Sequence, residues 1–478
     1  MSRAVPAGPI PTVRLVTGLP DVWTVSAAQL AAALEGGPHL VVLDDDPTGT
    51  QSVAGIPVLT TWGVGDLRWA LRRPENACYV LTNTRSLPAA DAATRNREVI
   101  RALAEAAHLE GIDYVVASRS DSTLRGHFPL ETDVLAEEEA RHGRPVDGVV
   151  LVPAYLQAGR FTIDSVHWMA TPAGAVPVGQ SEFAADATFG YRNSDLCAWV
   201  EEKTGGRILA GQVLAITCTD LRVGGPGRVA ELLGLLRAGR PAVVDAVQED
   251  DLRVLALASV RAESAGARLL YRVGPSFVRA RVGQDERPPL TAGDLRDLSR
   301  GGHGLVAVGS HVRLTTRQLA ELRELGGITE LELDVPTLLD GTTRDEHIAR
   351  TARAAAAAMT ESDVVIRTSR TLITGEDPEA SLSIARRISA ALVDTVAAAV
   401  RVTRPAWVVA KGGITSSDIA TESLGIRRAI ARGALLPGIV SLWEPVAGPF
   451  QGTPYVVFAG NVGDDHSLAE VVAKLRSM

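Results

Sequence analysis

Short runs rich in valine, isoleucine and leucine alternate with alanine-, arginine- and glutamate-rich segments from about residue 38 to the end of the chain. The runs are 39–45, 78–84, 114–118, 148–153, 213–217, 242–246, 304–310, 363–369, 407–413 and 455–461. They are continuously apolar, which is typical of parallel strands covered by helices on both faces. The pattern therefore predicts an α/β protein with mainly parallel sheets flanked by helices.

The same pattern divides the chain into domains. Residues 284–303 combine two prolines, several glycines and many charges with few apolar side chains, which predicts a linker. We expect one domain over 38–283 and a second over 304–478, with an active-site cleft between them. Residues 1–37 are predicted to be an N-terminal extension that carries one helix over 24–36.

Charge and cysteine usage exclude several classes of function. The 478 residues carry a net charge of −8 and contain no basic domain, which argues against a nucleic-acid partner. Cys78, Cys197 and Cys218 lie far apart without a CxxC pair. This spacing fits a reducing compartment and argues against a structural zinc site.

The apolar segments are too short or too interrupted to span a membrane. The longest, 384–402, contains four charged residues and is predicted to be an amphipathic helix. The N-terminus does not resemble a signal peptide, so we expect a cytoplasmic protein with no membrane partner. Alanine-rich helices at 351–359 and 385–400 could pack within their domain or against a second subunit, which leaves a homodimer open.

Three consecutive aspartates, Asp44, Asp45 and Asp46, follow the first predicted strand within VVLDDDPTGTQ at 41–51. Adjacent carboxylates repel one another, and an unpaired charge beside a core is unfavourable. Arginines, a metal ion or a proton in transit should therefore compensate them. Because ligands of open α/β sheets bind beyond the carboxyl ends of the strands, we expect these aspartates at a binding site.

Two further polar segments follow neighbouring predicted strands. Arg85 lies in NTRS at 83–86, and the loop SRSDSTLRGHF at 118–128 contains Arg119, Asp121 and Arg125. The planar fork of arginine matches a carboxylate, so we expect Arg85 and Arg119 to bind the carboxylate of a substrate. Hydroxyls and aspartate match sugar hydroxyls. The alternative is a salt-bridged surface loop in which Asp121 caps the next helix. The histidines form no HxH or HExxH pattern, so a histidine-ligated metal is not expected.

The second half of the chain places glycines, not charges, after its strands. KGGITSSDIA at 411–420 leads into a predicted helix, and similar turns occur in FAGNVGDD at 458–465 and VGSH at 308–311. Free N–H groups at a helix start attract phosphate, so these turns predict a site for nucleotide phosphates. The alternative is a tight turn with Thr415 or Ser416 as the N-cap. Neither a P-loop sequence nor a GxGxxG after a strand is present.

Six motifs resemble, in order, those of the four-carbon acid sugar kinase family. They are DDDPTGT, NTRS, RSDSTLRG, VGS, KGGITSSDIA and FAGNVGDD. The resemblance covers nearly all of the chain from about residue 38. It implies a kinase whose N-terminal domain binds threonate, erythronate or 3-oxo-tetronate and whose C-terminal domain binds ATP. Mg²⁺ would bridge phosphate oxygens and be only partly bound by protein.

The resemblance also assigns roles to individual residues. The catalytic candidates are Asp45, Asp46 and Asp121, one of which is expected to orient or deprotonate the attacking hydroxyl. Substrate-binding roles fall on Arg85, Arg119, Ser120, Asp121, Ser122, Thr123 and Arg125. Nucleotide-binding roles fall on Ser310, Gly412, Gly413, Ile414, Thr415 and Gly460. Gln51 stands where the family commonly has aspartate, Arg119 where it has lysine and His127 where asparagine is frequent, so the identity of the acid sugar stays open.

Two other classes of function remain as alternatives. Asp44, Asp46 and Thr48 also fit the DxDxT pattern of haloacid dehalogenase-like phosphatases, in which the first aspartate is a phosphorylated nucleophile. Against this reading, Pro47 replaces the usual glycine, and the acidic GDD at 463–465 lies in the other predicted domain. The remaining alternative is a non-catalytic sensor of acid sugars or nucleotides.

Overall fold

The structure is a computed structural model that describes residues 8–298, 301–370, 373 and 378–478. It divides into two compact units, each of which combines two stretches of the chain. The N-terminal unit contains the residues up to Ser52 and Trp62–Glu286, and the C-terminal unit contains Val53–Thr61 and Arg287–Met478. The predicted cleft between two domains stays a prediction.

The first eleven strands mostly build the N-terminal unit. They are β1 (His39–Asp44), β2 (Ile56–Leu59), β3 (Ala77–Leu81), β4 (Tyr114–Arg119), β5 (Gly148–Val152), β6 (Arg160–Ile163), β7 (Val166–Thr171), β8 (Gly174–Pro177), β9 (Leu214–Ile216), β10 (Arg240–Val244) and β11 (Leu269–Val273). All except β2 lie in this unit. A parallel sheet has the order β3-β1-β4-β11-β5-β10-β9, and β6, β7 and β8 form a separate antiparallel sheet.

Helices accompany the strands of the N-terminal unit. They are α1 (Thr12–Val16), α2 (Ala27–Leu34), α3 (Val64–Leu71), α4 (Ala89–Glu110), α5 (Leu130–Arg141), α6 (Leu196–Lys203), α7 (Gly225–Leu233), α8 (Glu249–Ser264) and α9 (Pro275–Arg281). In α4 the buried residues Asn96, Val99 and Leu103 recur at three- and four-residue spacing, which places them on one face. Gly111 ends the helix in the left-handed conformation at φ 66°.

The C-terminal unit contains a mixed sheet. Its strands are β2 with β12 (Leu305–Val308), β13 (Ile328–Leu333), β14 (Asp363–Thr368), β15 (Val408–Lys411), β16 (Arg428–Leu436), β17 (Ile439–Pro445) and β18 (Tyr455–Phe458). The order is β13-β14-β12-β15-β18-β17-β16-β2. The first five strands are parallel, and the pairs β18–β17, β17–β16 and β16–β2 are antiparallel.

The helices of the C-terminal unit follow its strands. They are α10 (Arg313–Glu324), α11 (Val335–Leu339), α12 (Arg344–Ala358), α13 (Pro378–Val402), α14 (Gly413–Asp418) and α15 (Ser467–Arg476). One core cluster joins Val409, Val456 and Phe458 of the sheet to Leu319 of α10 and Leu468 of α15. No helix in the part of the chain that the structure describes is both long and apolar enough to cross a membrane.

The predicted fold class is confirmed, and three local features differ from the sequence-based boundaries. Residues 53–61 were assigned to the first domain but lie in the second unit, because β2 pairs with β16. The predicted linker 284–303 contains a 3₁₀ helix, Ala292–Leu298, whose Leu295 and Leu298 are buried in the C-terminal core. The antiparallel sheet β6–β8 was not predicted; its hairpin turns at Asp164 and Ser165, both at positive φ.

Candidate functional site

The first aspartate of the triplet is held by an arginine on the neighbouring strand. The register of β1 and β4 puts Asp44 opposite Arg119, and their side chains form an ion pair. A Cβ atom at Gly49 would lie 2.2 Å from Asp44 Oδ2 and 2.5 Å from Arg119 Nε, so only glycine fits there. Burial raises the pKa of Asp44 to about 7, although the charge of Arg119 lowers it.

This ion pair changes the expectation for Arg119. We expected its guanidinium to bind a substrate carboxylate, but the side chain is only 4% exposed and is paired with Asp44. It also donates a hydrogen bond to the backbone carbonyl of Asp46. Arg119 therefore holds the turn that contains the aspartates. Of the two arginines predicted to bind that carboxylate, Arg85 is the more accessible at 17% exposure.

The second and third aspartates share Arg85. Its Nε donates to Asp45 Oδ2 at 3.1 Å, its Nη2 forms a second bond to Asp45, and its Nη1 lies 3.5 Å from Asp46 Oδ2. The Thr48 backbone N–H also donates to Asp46 Oδ1 at 3.0 Å. Burial alone would raise the pKa of Asp46, but the charges of Arg85 and Arg119 and the bonds from Thr48 lower it below its ordinary value.

The loop after β4 presents Asp121 beside two arginines. Arg125 Nε donates to Asp121 Oδ2 at 2.6 Å, and the Thr123 hydroxyl donates to the same oxygen. Burial alone would raise the pKa of Asp121, but the charges of Arg85 and Arg125 hold it well below its ordinary value. Asp121 does not act as the helix cap that we weighed as an alternative, because α5 begins only at Leu130 after Pro129 and has no side-chain cap.

Backbone contacts fix the position of this loop. His167 Nε2 lies 2.8 Å from the Ser122 carbonyl, and the Tyr191 hydroxyl donates to the Thr123 carbonyl at 2.6 Å. The Ser120 N–H donates to Val273 of β11 at 3.0 Å. Ser120, Ser122 and Thr123 are thus buried within the loop that carries Asp121. The structure brings the predicted residues of this unit to one edge of the parallel sheet.

Two charged residues of this cluster were missed by the sequence analysis. Arg272 of β11 has its Nη1 3.5 Å from Glu131 Oε2 on α5, and both side chains are buried. A Cβ at Gly126 would lie 3.2 Å from Asp45 Oδ2 and 3.5 Å from Arg272 Nη2. The Arg272–Glu131 pair is therefore adjacent to the aspartates. Burial and the charge of Asp45 raise the pKa of Glu131 to about 7. An arginine inside the apolar run LLYRV was the available signal; Glu131 had none.

Arginines therefore compensate the acidic cluster. Within the described ranges, no group of three or more histidine, cysteine, aspartate or glutamate side chains is arranged to hold a metal ion. The carboxylates instead lie in ion pairs that fix their direction and keep Asp46 and Asp121 ionised. Such an edge can bind a polyhydroxylated anion, because its arginines attract negative charge while its carboxylates accept hydrogen bonds from hydroxyls.

In the C-terminal unit, three glycine-containing turns meet at the ends of β12, β15 and β18. A Cβ at Gly460 would lie 2.4 Å from Ser310 Oγ, and one at Gly412 would lie 3.1 Å from Thr415 Oγ1. Thr315 Oγ1 lies 3.1 Å from Ser310 Oγ and 3.0 Å from the Gly460 carbonyl. The predicted residues Ser310, Gly412, Thr415 and Gly460 are thus neighbours, and no Cβ fills the space between the turns.

The helix start in KGGITSSDIA has no side-chain cap. Gly412, at φ 136°, is the N-cap of α14, and neither Thr415 nor Ser416 caps it. Our alternative of a capped turn is therefore wrong; Ser416 Oγ donates instead to the Ala410 carbonyl at 2.8 Å. The first N–H groups of α14, from Gly413 and Ile414 onward, lack the partner that a capping side chain would supply. The side chain of Ile414 lies outside the described residues.

Lys411 lies beneath these turns and had no predicted role. Its side chain is fully buried, its Nζ donates to the Ala459 carbonyl at 2.9 Å, and the ammonium lies 3.8 Å from the centroid of the Phe458 ring. Burial lowers the pKa of Lys411 to about 7. A lysine at the end of the apolar run WVVAK was a visible signal for this position.

Comparison with known families matches both units. Residues 40–281 match the family model of the sugar-binding N-terminal domain, and residues 305–468 match that of the nucleotide-binding C-terminal domain. The chain is thus a two-domain protein with one unit similar to sugar-binding domains and one similar to nucleotide-binding domains. The chain belongs to the four-carbon acid sugar kinase family.

Solved structures share the fold at low sequence identity. A Salmonella typhimurium LT2 protein described as a candidate tRNA synthase is 19% identical, with a TM-score of 0.65 over 91% of this chain and 98% of its own. A Haemophilus influenzae protein of the DUF1537 family is also 19% identical, with a TM-score of 0.61 over 91% of this chain and 100% of its own. No curated protein matches the chain by sequence.

Proposed function

We propose that the protein is an ATP-dependent kinase that phosphorylates a hydroxyl group of a four-carbon acid sugar such as threonate, erythronate or 3-oxo-tetronate. The observation that carries the proposal is the arginine-compensated cluster of Asp45, Asp46 and Asp121, at the strand ends of a unit that matches a sugar-binding domain. The other unit matches a nucleotide-binding domain, which supplies the second reactant.

On the nucleotide side, the glycine turns would bind the phosphates of ATP. Ser310, Gly412, Gly413, Ile414, Thr415 and Gly460 are the residues proposed for this role. Backbone N–H groups at the start of α14 can donate to phosphate oxygens because no capping side chain occupies them. Mg²⁺ would neutralise phosphate charge when bound; it retains waters readily, so phosphate oxygens and waters can supply most of its ligands.

On the sugar side, Asp121 would orient the attacking hydroxyl. The terminal phosphoryl group moves from ATP to the sugar oxygen, ADP leaves, and the hydroxyl proton passes to a carboxylate or to water. A carboxylate with a lowered pKa is a weak resting base. It can still accept a hydrogen bond from the hydroxyl, because the loose transition state of phosphoryl transfer requires little proton removal beforehand. Asp45 and Asp46 would hold Arg85 in place and accept bonds from neighbouring hydroxyls.

The direct test measures conversion of ATP to ADP with threonate, erythronate and 3-oxo-tetronate, each with and without Mg²⁺. A kinase converts ATP only when its acid sugar is present. A phosphatase would release phosphate from a sugar phosphate without ATP, and a sensor would bind ligands without turnover. Either result would refute the proposal. The phosphatase reading also conflicts with the burial of Asp44 against Arg119, which leaves no room for a phosphorylated nucleophile.

Substitution of Asp121 tests the assignment of roles. Asp121→Asn should reduce kcat by roughly 100- to 10,000-fold, the usual contribution of a positioned acid or base, while ATP affinity measured by calorimetry stays nearly unchanged. Asp133→Asn is the matched control, because Asp133 is half exposed in the same unit and pairs only with Arg207 at the surface. Loss of ATP affinity in Asp121→Asn would contradict the division of labour between the two units.

A further inference from the structure

One arginine near the acidic cluster, Arg160, forms no ion pair with any residue that the structure describes. Four other arginines of the cluster, Arg85, Arg119, Arg125 and Arg272, each form an ion pair with a carboxylate. Over the residues that the structure describes, Arg160 forms neither an ion pair nor a side-chain hydrogen bond, and its Nε is buried without an acceptor. Buried polar groups are nearly always hydrogen-bonded, so the buried Nε–H of this half-buried arginine calls for an explanation.

The fold holds Arg160 beside the substrate loop. It is the first residue of β6, and its backbone N–H and carbonyl both bond to Tyr155 at 3.0 Å. The neighbouring strand β7 carries His167, which contacts the Ser122 carbonyl of the loop at 2.8 Å. The antiparallel sheet is therefore fixed against the segment that carries Asp121, which places Arg160 in the same part of the unit as Asp121.

Charge and geometry indicate which ligand would satisfy this arginine. Burial lowers the pKa of Arg160 while Asp121 opposes that effect, but a guanidinium stays protonated in proteins, so the charge persists. A planar carboxylate can accept two parallel N–H bonds from such a fork. Arg85 already directs this fork at Asp45, and Arg119 is buried against Asp44, whereas Arg160 forms no ion pair among the described residues and its Nε has no acceptor.

We propose that Arg160 binds the carboxylate of the substrate and thereby makes the site select an acid sugar over the corresponding neutral polyol. This inference rests on the proposed function and names the residue that sets its substrate class. With the carboxylate on Arg160, the chain of hydroxyls extends towards Asp121, which orients one of them for phosphorylation. Arg160 is thus a specificity residue and takes no part in proton transfer.

The test compares acid and neutral substrates. kcat and KM are measured for the wild type, Arg160→Met and Arg160→Lys with erythronate, threonate and neutral erythritol. Arg160→Met should raise KM for the acid by roughly 10- to 100-fold, because charged hydrogen bonds are lost, with kcat little changed. KM for erythritol should stay the same. Arg160→Lys should retain part of the acid preference, because it keeps the charge but loses the fork.

Controls separate this inference from the proposed function. Arg207→Met removes a half-exposed arginine of the same unit and should leave the acid preference intact. An equal loss for erythronate and erythritol in Arg160→Met would overturn the inference, since a structural role affects both. If Arg160→Met does not fold, Arg160→Lys must still raise KM for erythronate without raising KM for erythritol.

Binding experiments remain decisive if the wild type shows no kinase activity. Calorimetry of erythronate and erythritol with the wild type and both variants then tests Arg160 separately from turnover. Selective loss of erythronate binding supports the assignment even though the proposed kinase activity fails. Equal binding of erythronate by the wild type and Arg160→Met, or no binding of any acid by the wild type, refutes it.

Discussion

Replacing Lys411 by methionine should remove a pH-dependent destabilisation of the C-terminal unit. The lysine side chain is fully buried, and its ammonium contacts the Ala459 carbonyl and the Phe458 ring. Among the described residues, no carboxylate forms an ion pair with it. Burial therefore lowers its pKa from 10.5 to about 7. Methionine is similar in length and has no charge to bury.

The pKa of Lys411 fixes the sign and size of the effect. Between pH 7 and 10.5 the folded lysine binds fewer protons than the unfolded one, so the free energy of unfolding rises with pH across this window. The full penalty, present below pH 7, is roughly 5 kcal/mol at about 1.4 kcal/mol per tenfold change. The advantage of Lys411→Met over the wild type should thus be greatest below pH 7 and shrink as the pH rises above it, approaching about 1.4 kcal/mol per pH unit from about pH 8 upward. Loss of the bond to Ala459 subtracts a constant of about 1 kcal/mol.

Urea unfolding of both proteins at pH 7, 8 and 9 measures this difference. Pulse hydrogen exchange of the β15 and β18 amides, at one fixed labelling pH, reports the C-terminal unit separately. Lys474→Met is the matched control, because Lys474 is partly exposed and pairs with Glu470 in the same unit. If the difference in free energy of unfolding between wild type and Lys411→Met stays constant from pH 7 to 9, the reasoning is refuted. Such a result would mean that the ammonium is solvated or paired in solution.

Two further substitutions test packing in the C-terminal unit. Gly460→Ala places a Cβ 2.4 Å from Ser310 Oγ. Because overpacking costs about 1–3 kcal/mol, this change should weaken ATP binding by roughly tenfold or more in calorimetry. Gly341→Ala is the control, since its Cβ meets no atom within 4 Å and should leave ATP binding unchanged. Leu295→Ala should lower the free energy of unfolding by about 2–5 kcal/mol in urea titrations, because Leu295 is fully buried, whereas Leu325→Ala at an exposed position should change it little. A small effect at Leu295 would mean that its segment behaves as a free linker.

The parallel strands could be predicted because their sequences allow few other structures. The centres of these runs, such as LVVL at 40–43 and WVVA at 407–410, are apolar at every position, and all ten predicted runs coincide with strands. The antiparallel elements were harder to predict. Strands β6, β7 and β8 are short and partly exposed, so the pattern of apolar residues in the sequence does not identify them as strands. The partner of β2 lies about 370 residues away in β16, and no local pattern encodes such a pairing.

The site was predictable as a set of strand ends but not as a set of contacts. The motifs around Asp45, Asp121 and Gly412 were expected after the carboxyl ends of parallel strands, where ligands gather, and the structure has them there. Which arginine pairs with which carboxylate depends on register, and the sequence does not give it. Arg119 therefore lies against Asp44, contrary to its expected contact with the substrate, and Arg160 had no motif to mark it.

The placement of β2 has a consequence for dividing the chain into two separate proteins. The polypeptide passes from one unit to the other after Ser52, after Thr61 and after Glu286. A single break after Glu286 would place β2 on the N-terminal fragment and β16 on the C-terminal one. Without β2, β16 would have an unpaired backbone edge, which favours aggregation. We therefore expect fragments divided after Glu286 to fold less well than the undivided chain, because β2 and β16 would lie on separate fragments.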